Sequence, residues 1–101
     1  MLLLGEKTVI YLSGRMRGVE ALNAPAFAKY ADQLRREGHS VFNPAAANLE
    51  GWPIEKIFAY ELEILCLQAK TIALMPDWKD SKGAIAEAAV ADAIGKRVIF
   101  L

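Results

Sequence analysis

The sequence predicts an α/β fold: a three-layer sandwich around a four-stranded parallel sheet. Three observations carry that prediction. Four short runs of apolar and β-branched residues recur along the chain. The first three are each closed by glycine or proline, and segments with helical spacing lie between the runs. This alternation of periods 2 and 3.6 is the mark of strand–helix–strand units. The chain has 101 residues, without repeats, linkers or low-complexity stretches, which predicts one domain over 1–101.

The elements follow in order. Thr8-Val9-Ile10-Tyr11-Leu12 reads as a buried strand that ends at Ser13-Gly14. Asn23 is placed to cap a first helix with Pro25 in its first turn, and Gly38 to end it. Phe27, Tyr30, Ala31 and Leu34 form its apolar stripe; Arg35, Arg36 and Glu37 form a solvated face. Ser40 to Asn43 is a second strand, stopped by Pro44, and 45–52 is a loop. A second helix runs from about Pro53 to Gln68 with Ile54, Ile57, Phe58 and Leu65 in line. Thr71 to Met75 is the third strand, stopped by Pro76. Ser81 caps a third helix that ends at Gly95, and Arg97 to Leu101 is the last strand. Parallel crossovers give the order 2-1-3-4, a flavodoxin-like or Rossmann-like sheet. Ligands bind such sheets beyond the carboxyl ends of the strands where the order reverses. Two loops meet there, Ser13 to Gly18 and Pro76 to Gly83.

Composition narrows the function. Twelve Lys and Arg balance twelve Asp and Glu, and a zero net charge argues against a nucleic-acid binder. A single cysteine can form neither an internal disulfide nor a thiolate metal site, which points to a reducing, cytoplasmic setting. No His/Cys/carboxylate group has metal spacing. The Met1-Leu2-Leu3-Leu4 run is too short for a signal-peptide core, and no stretch reaches a membrane span. An apolar chain without net charge tends to self-associate, so a homodimer or higher homo-oligomer is expected.

The first loop reads Ser13-Gly14-Arg15-Met16-Arg17-Gly18. Glycine lets backbone approach a ligand, and arginine offers forked donors to phosphate oxygens. Ser13, Gly14, Arg15 and Arg17 are therefore binding candidates; the competing reading is a tight turn with solvated arginines. In the second loop, amides at Ser81, Lys82 and Gly83 open a helix, a natural anion site. On that helix Ala84, Ala88, Ala91 and Ile94 form the expected buried stripe, and Glu87 falls on it. A carboxylate there either faces a polar cavity or pairs with Lys96 or Arg97 at the rim. Ser81 to Glu87 rises roughly 9 Å, about the span from a nucleotide's 5′-phosphate to its anomeric carbon. Glu61 shows the same anomaly, four residues from both Ile57 and Leu65, unless it sits at an edge. Two inward carboxylates in different environments suit glycosyl chemistry, in which one attacks and the other handles protons. Trp52 and Trp78 flank the mouth, either stacking on a base or packing. His39 is at the wrong end of its strand and Cys66 reads as a small core residue.

Tyr11 to Gly18, Asn23 to Phe27, Gly38 to Pro44, and Met75 to Ala84 with Glu87 together resemble the nucleoside 2-deoxyribosyltransferase-like proteins, nearest a short phage and prophage branch. Nucleoside 5′-monophosphate N-glycosidases belong to the same superfamily. The resemblance implies Glu87 as nucleophile at the sugar C1′, with Tyr11 orienting it and a covalent glycosyl-enzyme formed. Ser81, Gly83, Gly14 and Arg17 would hold a 5′-phosphate, Glu61 would lie near the sugar or leaving base, and Asn43 and Trp78 are further substrate contacts. Asp77 stands where many relatives have glycine and is a candidate proton donor. Lys70 replaces an aspartate. The chain lacks the longer loops of full-length transferases, which leaves the site open, shared with a neighbouring subunit, or inactive. No metal or organic cofactor is required, because a carboxylate forms the covalent bond. The expectation is an N-glycosidic hydrolase or transferase acting on (deoxy)nucleotides or nucleosides. Its rivals are a non-catalytic nucleotide-binding module and a structural subunit.

Overall fold

The structure, a computed structural model, describes residues 9–101. Thr8 and the Met1–Leu4 run lie outside the described residues. The elements are β1 (Val9–Ser13), α1 (Ala24–Arg36), β2 (Ser40–Phe42), α2 (Ile54–Leu67), β3 (Ala69–Leu74), α3 (Lys82–Ala93) and β4 (Arg97–Phe100). Short 3-10 turns follow β2 and β3. The strands form one sheet in the order β2-β1-β3-β4, and each neighbouring pair is parallel. β1 reaches one residue further than expected because Ser13 pairs with Leu74.

Strand alternation builds the layers. Ile10 and Leu12 face α1 and pack with Phe27, Ala31 and Leu34, and with Ala73 and Met75 from beyond β1. Tyr11 faces the other way, among Ile64 and Leu65 of α2, Ala91 of α3, and Ile72 and Leu74 of β3. One helix therefore covers one face and two cover the other. No helix among the described residues is long and apolar enough to cross a membrane.

Three local expectations are corrected. Asn23 does not cap α1 through its side chain; it takes a left-handed φ of 61°, and its Nδ2 donates to the Arg15 carbonyl at 2.8 Å. Ala21 and Leu22 are left-handed as well, both with φ of 53°. Such backbone costs roughly 1–2 kcal/mol per residue, and here it ties the first loop to α1. Ile94 is 50% exposed instead of buried, because α3 ends at Ala93 and Ile94 leaves the helical path just before Gly95 turns with φ of 76°. In α2 the core is made by Ile64 and Leu65, whereas Ile54 is exposed and Ile57 and Phe58 are half-buried. The sheet ends before it reaches the first turns of this helix.

Gly14 is explained by a close approach. A Cβ at that position would lie 2.8 Å from Met75 Sδ and 2.9 Å from Met75 Cβ. Met75 cannot retreat, since it is buried and its amide donates to the Ser13 carbonyl at 2.8 Å. Gly14→Ala is expected to destabilise the fold by about 1–3 kcal/mol, read as a lower urea midpoint with an unchanged slope.

Candidate active site

A cavity of about 340 Å³ opens at the carboxyl edge of the sheet, between β1 and α3, where the strand order reverses. Tyr11 and Ser13 from β1 form its floor, and Gly14 to Arg17 form one wall. Ile54, Ile57, Phe58 and Glu61 come from α2; Ser81 to Ala84 and Glu87 come from α3 and its cap. A smaller adjoining cavity of about 210 Å³ holds Trp52 and Leu49, and shares Met16, Leu22, Pro44, Ile57 and Glu61 with the first.

Glu87 is 6% exposed. Both of its oxygens accept hydrogen bonds: Tyr11 Oη donates to Oε2 at 2.6 Å, and Ser13 Oγ donates to Oε1 at 2.7 Å. Burial pushes this carboxyl above its usual range, and the two hydroxyls pull it back. Of the two expected rim partners, Lys96 donates instead to the Cys66 carbonyl, at 2.9 Å. Tyr11 is fully buried; burial and the Glu87 charge keep its phenol protonated, so it is a donor at any working pH. Glu61 is 9% exposed. Burial first, and the Glu87 charge second, raise its carboxyl to about 7, against an opposing pull from Arg17. The two carboxylates thus share one cavity and differ in environment.

Ser81 caps α3, its Oγ accepting from the Ala84 amide at 3.1 Å. The first intrahelical bond is Ile85 N–H to the Ser81 carbonyl, so the amides of Lys82 and Gly83 lie ahead of it at the cavity wall. A Cβ at Gly83 would meet only Ser81 Oγ, at 3.8 Å, so the space beside this backbone is open. Arg17 is exposed and Arg15 half-buried, and both line the cavity.

Ser13 lines the cavity, and its hydroxyl proton is committed to Glu87. Three expected contacts fall elsewhere. Asp77 is not on the cavity wall; its Oδ1 accepts from the Arg15 amide at 3.4 Å and so braces the first loop. Trp78 packs on Phe100, with ring centroids 6.2 Å apart, and is absent from both cavities. Asn43 accepts from the Ala45 amide at 3.0 Å, shaping the Pro44 turn. Loop residues such as these satisfy their own backbone first. Conversely, Leu22 and Asp80 line the cavity although the sequence assigns them no role, and so does Lys82, marked there only for its amide. Lys82 had a signal, being the first residue after a helix cap. Leu22 had none, since a left-handed leucine has no sequence mark. Among the described residues, no group of three or more His, Cys, Asp or Glu could hold a metal ion.

No curated protein matches the chain. Among solved structures, the 2-deoxyribosyltransferase of Bacillus psychrosaccharolyticus, a biocatalyst for nucleoside synthesis, superposes with a TM-score of 0.71. The identity is 24%, over 92% of this chain and 71% of that one. The two proteins share a fold. A family model described as Domain of unknown function (DUF4406) matches residues 8–100, and the chain belongs to that family.

Proposed function

We propose that the protein cleaves the N-glycosidic bond of a (deoxy)nucleoside or its 5′-monophosphate through a covalent Glu87–sugar ester. The observation behind this is Glu87: a carboxylate almost out of water, held by two hydroxyls, on the wall of a cavity that also presents two arginines and a helix N-terminus. A Glu87 oxygen forms a bond to C1′ as the C1′–N bond breaks. The electron pair leaves with the base, which takes a proton from Glu61. Water or a second base then attacks C1′, Glu87 leaves as a carboxylate, and the proton from the attacking group returns to Glu61. The raised carboxyl of Glu61 suits a group that must hold a proton near neutrality. The likeness in fold to a 2-deoxyribosyltransferase agrees with this chemistry.

Arg17, Arg15 and the amides of Lys82 and Gly83 put donors on the wall of one cavity, which favours a phosphorylated substrate. The test is a panel of nucleotides and nucleosides with free base measured by chromatography. Base release is the expected result. Thermal stabilisation by nucleotide without release would leave a binding module. Arg17→Ala is expected to raise KM for monophosphates about tenfold or more and to change KM for the matching nucleosides by less than about twofold. Equal changes for both would remove the phosphate assignment.

A further inference from the structure

Tyr11 and Ser13 are two residues apart on β1, so their side chains leave the same face of the strand. A strand rises roughly 3.3 Å per residue, which carries the second hydroxyl further toward the cavity mouth. The two hydroxyls meet one carboxylate, Tyr11 at Oε2 and Ser13 at Oε1. Ser13 is 1% exposed, and its Oγ donates to Glu87. Among the described residues no buried side-chain nitrogen or oxygen lacks a partner.

We propose that Ser13 is a second positioning residue for Glu87, fixing Oε1 while Tyr11 fixes Oε2, so that the carboxylate stays ionised and in one orientation. The role rests on the reading of Glu87 as the nucleophile. Each carboxylate oxygen accepts one of these bonds and keeps a lone pair free. One oxygen can therefore bond to C1′ while the other becomes the ester carbonyl and still accepts its hydroxyl. Neither hydroxyl gains or loses a proton in the step. Tyr11 alone would leave one oxygen unheld on a wall where Ala84 is its buried neighbour one turn back. The charged groups around the same cavity are Glu61 from α2, Arg15 and Arg17 from the first loop, and Asp80 and Lys82 at the start of α3. Of these, Glu61 is the one whose own carboxyl is raised by the Glu87 charge. Loss of the Ser13 hydroxyl leaves the burial of Glu87 less opposed.

The experiment compares the full chain with Ser13→Ala and Ser13→Thr. The Glu87 side-chain carbon is followed by NMR across pH, and kcat and KM are measured for nucleotide and nucleoside. In Ser13→Ala the Glu87 midpoint is expected to rise by about one pH unit, with kcat down roughly tenfold and KM within about twofold. Ser13→Thr keeps the hydroxyl and is expected to restore both. Should the alanine variant not fold, Ser13→Cys, a weaker donor, is expected to shift the midpoint in the same direction by less. An unmoved midpoint overturns the proposal. So does a KM increase confined to monophosphates with midpoint and kcat kept, which would return Ser13 to the phosphate. If the unmodified protein releases no base from any substrate, the glycosyl reading fails on its own, and the NMR midpoint still decides whether Ser13 holds Glu87.

Discussion

Glu87→Gln is expected to lower base release by at least about a thousandfold while leaving the fold intact. The side chain keeps its shape; one hydroxyl still donates to Oε1, and the other turns to accept from Nε2. What it loses is the anionic oxygen that bonds to C1′. A thousandfold corresponds to about 4 kcal/mol of barrier, which is modest for removal of a covalent route. Chromatography of free base under saturating nucleotide measures it, with circular dichroism as the check on folding. A loss smaller than about tenfold would mean that the carboxylate does not form the bond. Nucleotide binding should survive in the variant, because Arg15, Arg17 and the amides at the start of α3 are untouched.

Activity and stability are both expected to respond to pH through Glu61, and in a way that separates them. Its carboxyl is raised to about 7 by burial and by the neighbouring Glu87. As a proton donor it works only below that value, so kcat/KM is expected to fall as pH rises through about 7. The stability argument uses the same shift. A carboxyl that ionises near 4.5 in the unfolded chain and near 7 in the folded one favours folding while protonated. That contribution is complete below the lower value and is lost as pH rises through the upper one. Glu61→Gln lacks the titration. The variant is expected to match the parent at about pH 4 and to exceed it by roughly 2–3 kcal/mol at about pH 8. Urea midpoints at the two pH values measure the gap. A gap that does not change with pH would show that Glu61 is solvated, and would remove it as the proton donor.

The strand order was readable because each apolar run is short and the first three end on glycine or proline, which forces separate parallel strands. Glu61 and Glu87 were readable because a carboxylate at core spacing is costly unless a cavity receives it. The role of the Ser13 hydroxyl was not, since a serine after a strand looks like the start of a loop. Its meaning lies in the two-residue step from Tyr11, which matters only once β1 is known to continue through Ser13. Asp77, Asn43 and Trp78 carried a ligand's chemistry in their side chains, yet Asp77 braces the first loop, Asn43 shapes its own turn and Trp78 packs on Phe100. The left-handed turn at Ala21 to Asn23 escaped for a different reason, as its residues are ordinary and its geometry is imposed by the Asn23 bond to the first loop.

The division of α2 has a consequence for how such a protein can change. Its second half, through Ile64 and Leu65, anchors the sheet, while Ile54, Ile57 and Phe58 on the first half contact the cavity. Apolar residues that any hydrophobicity count would assign to the interior are thus released from the duty of holding the chain folded. Exchanging them for larger, smaller or more polar neighbours alters the shape offered to a guest at little expense to the folded state. New selectivities can be reached along this half-helix by single substitutions, with Glu61 and Glu87 left in place.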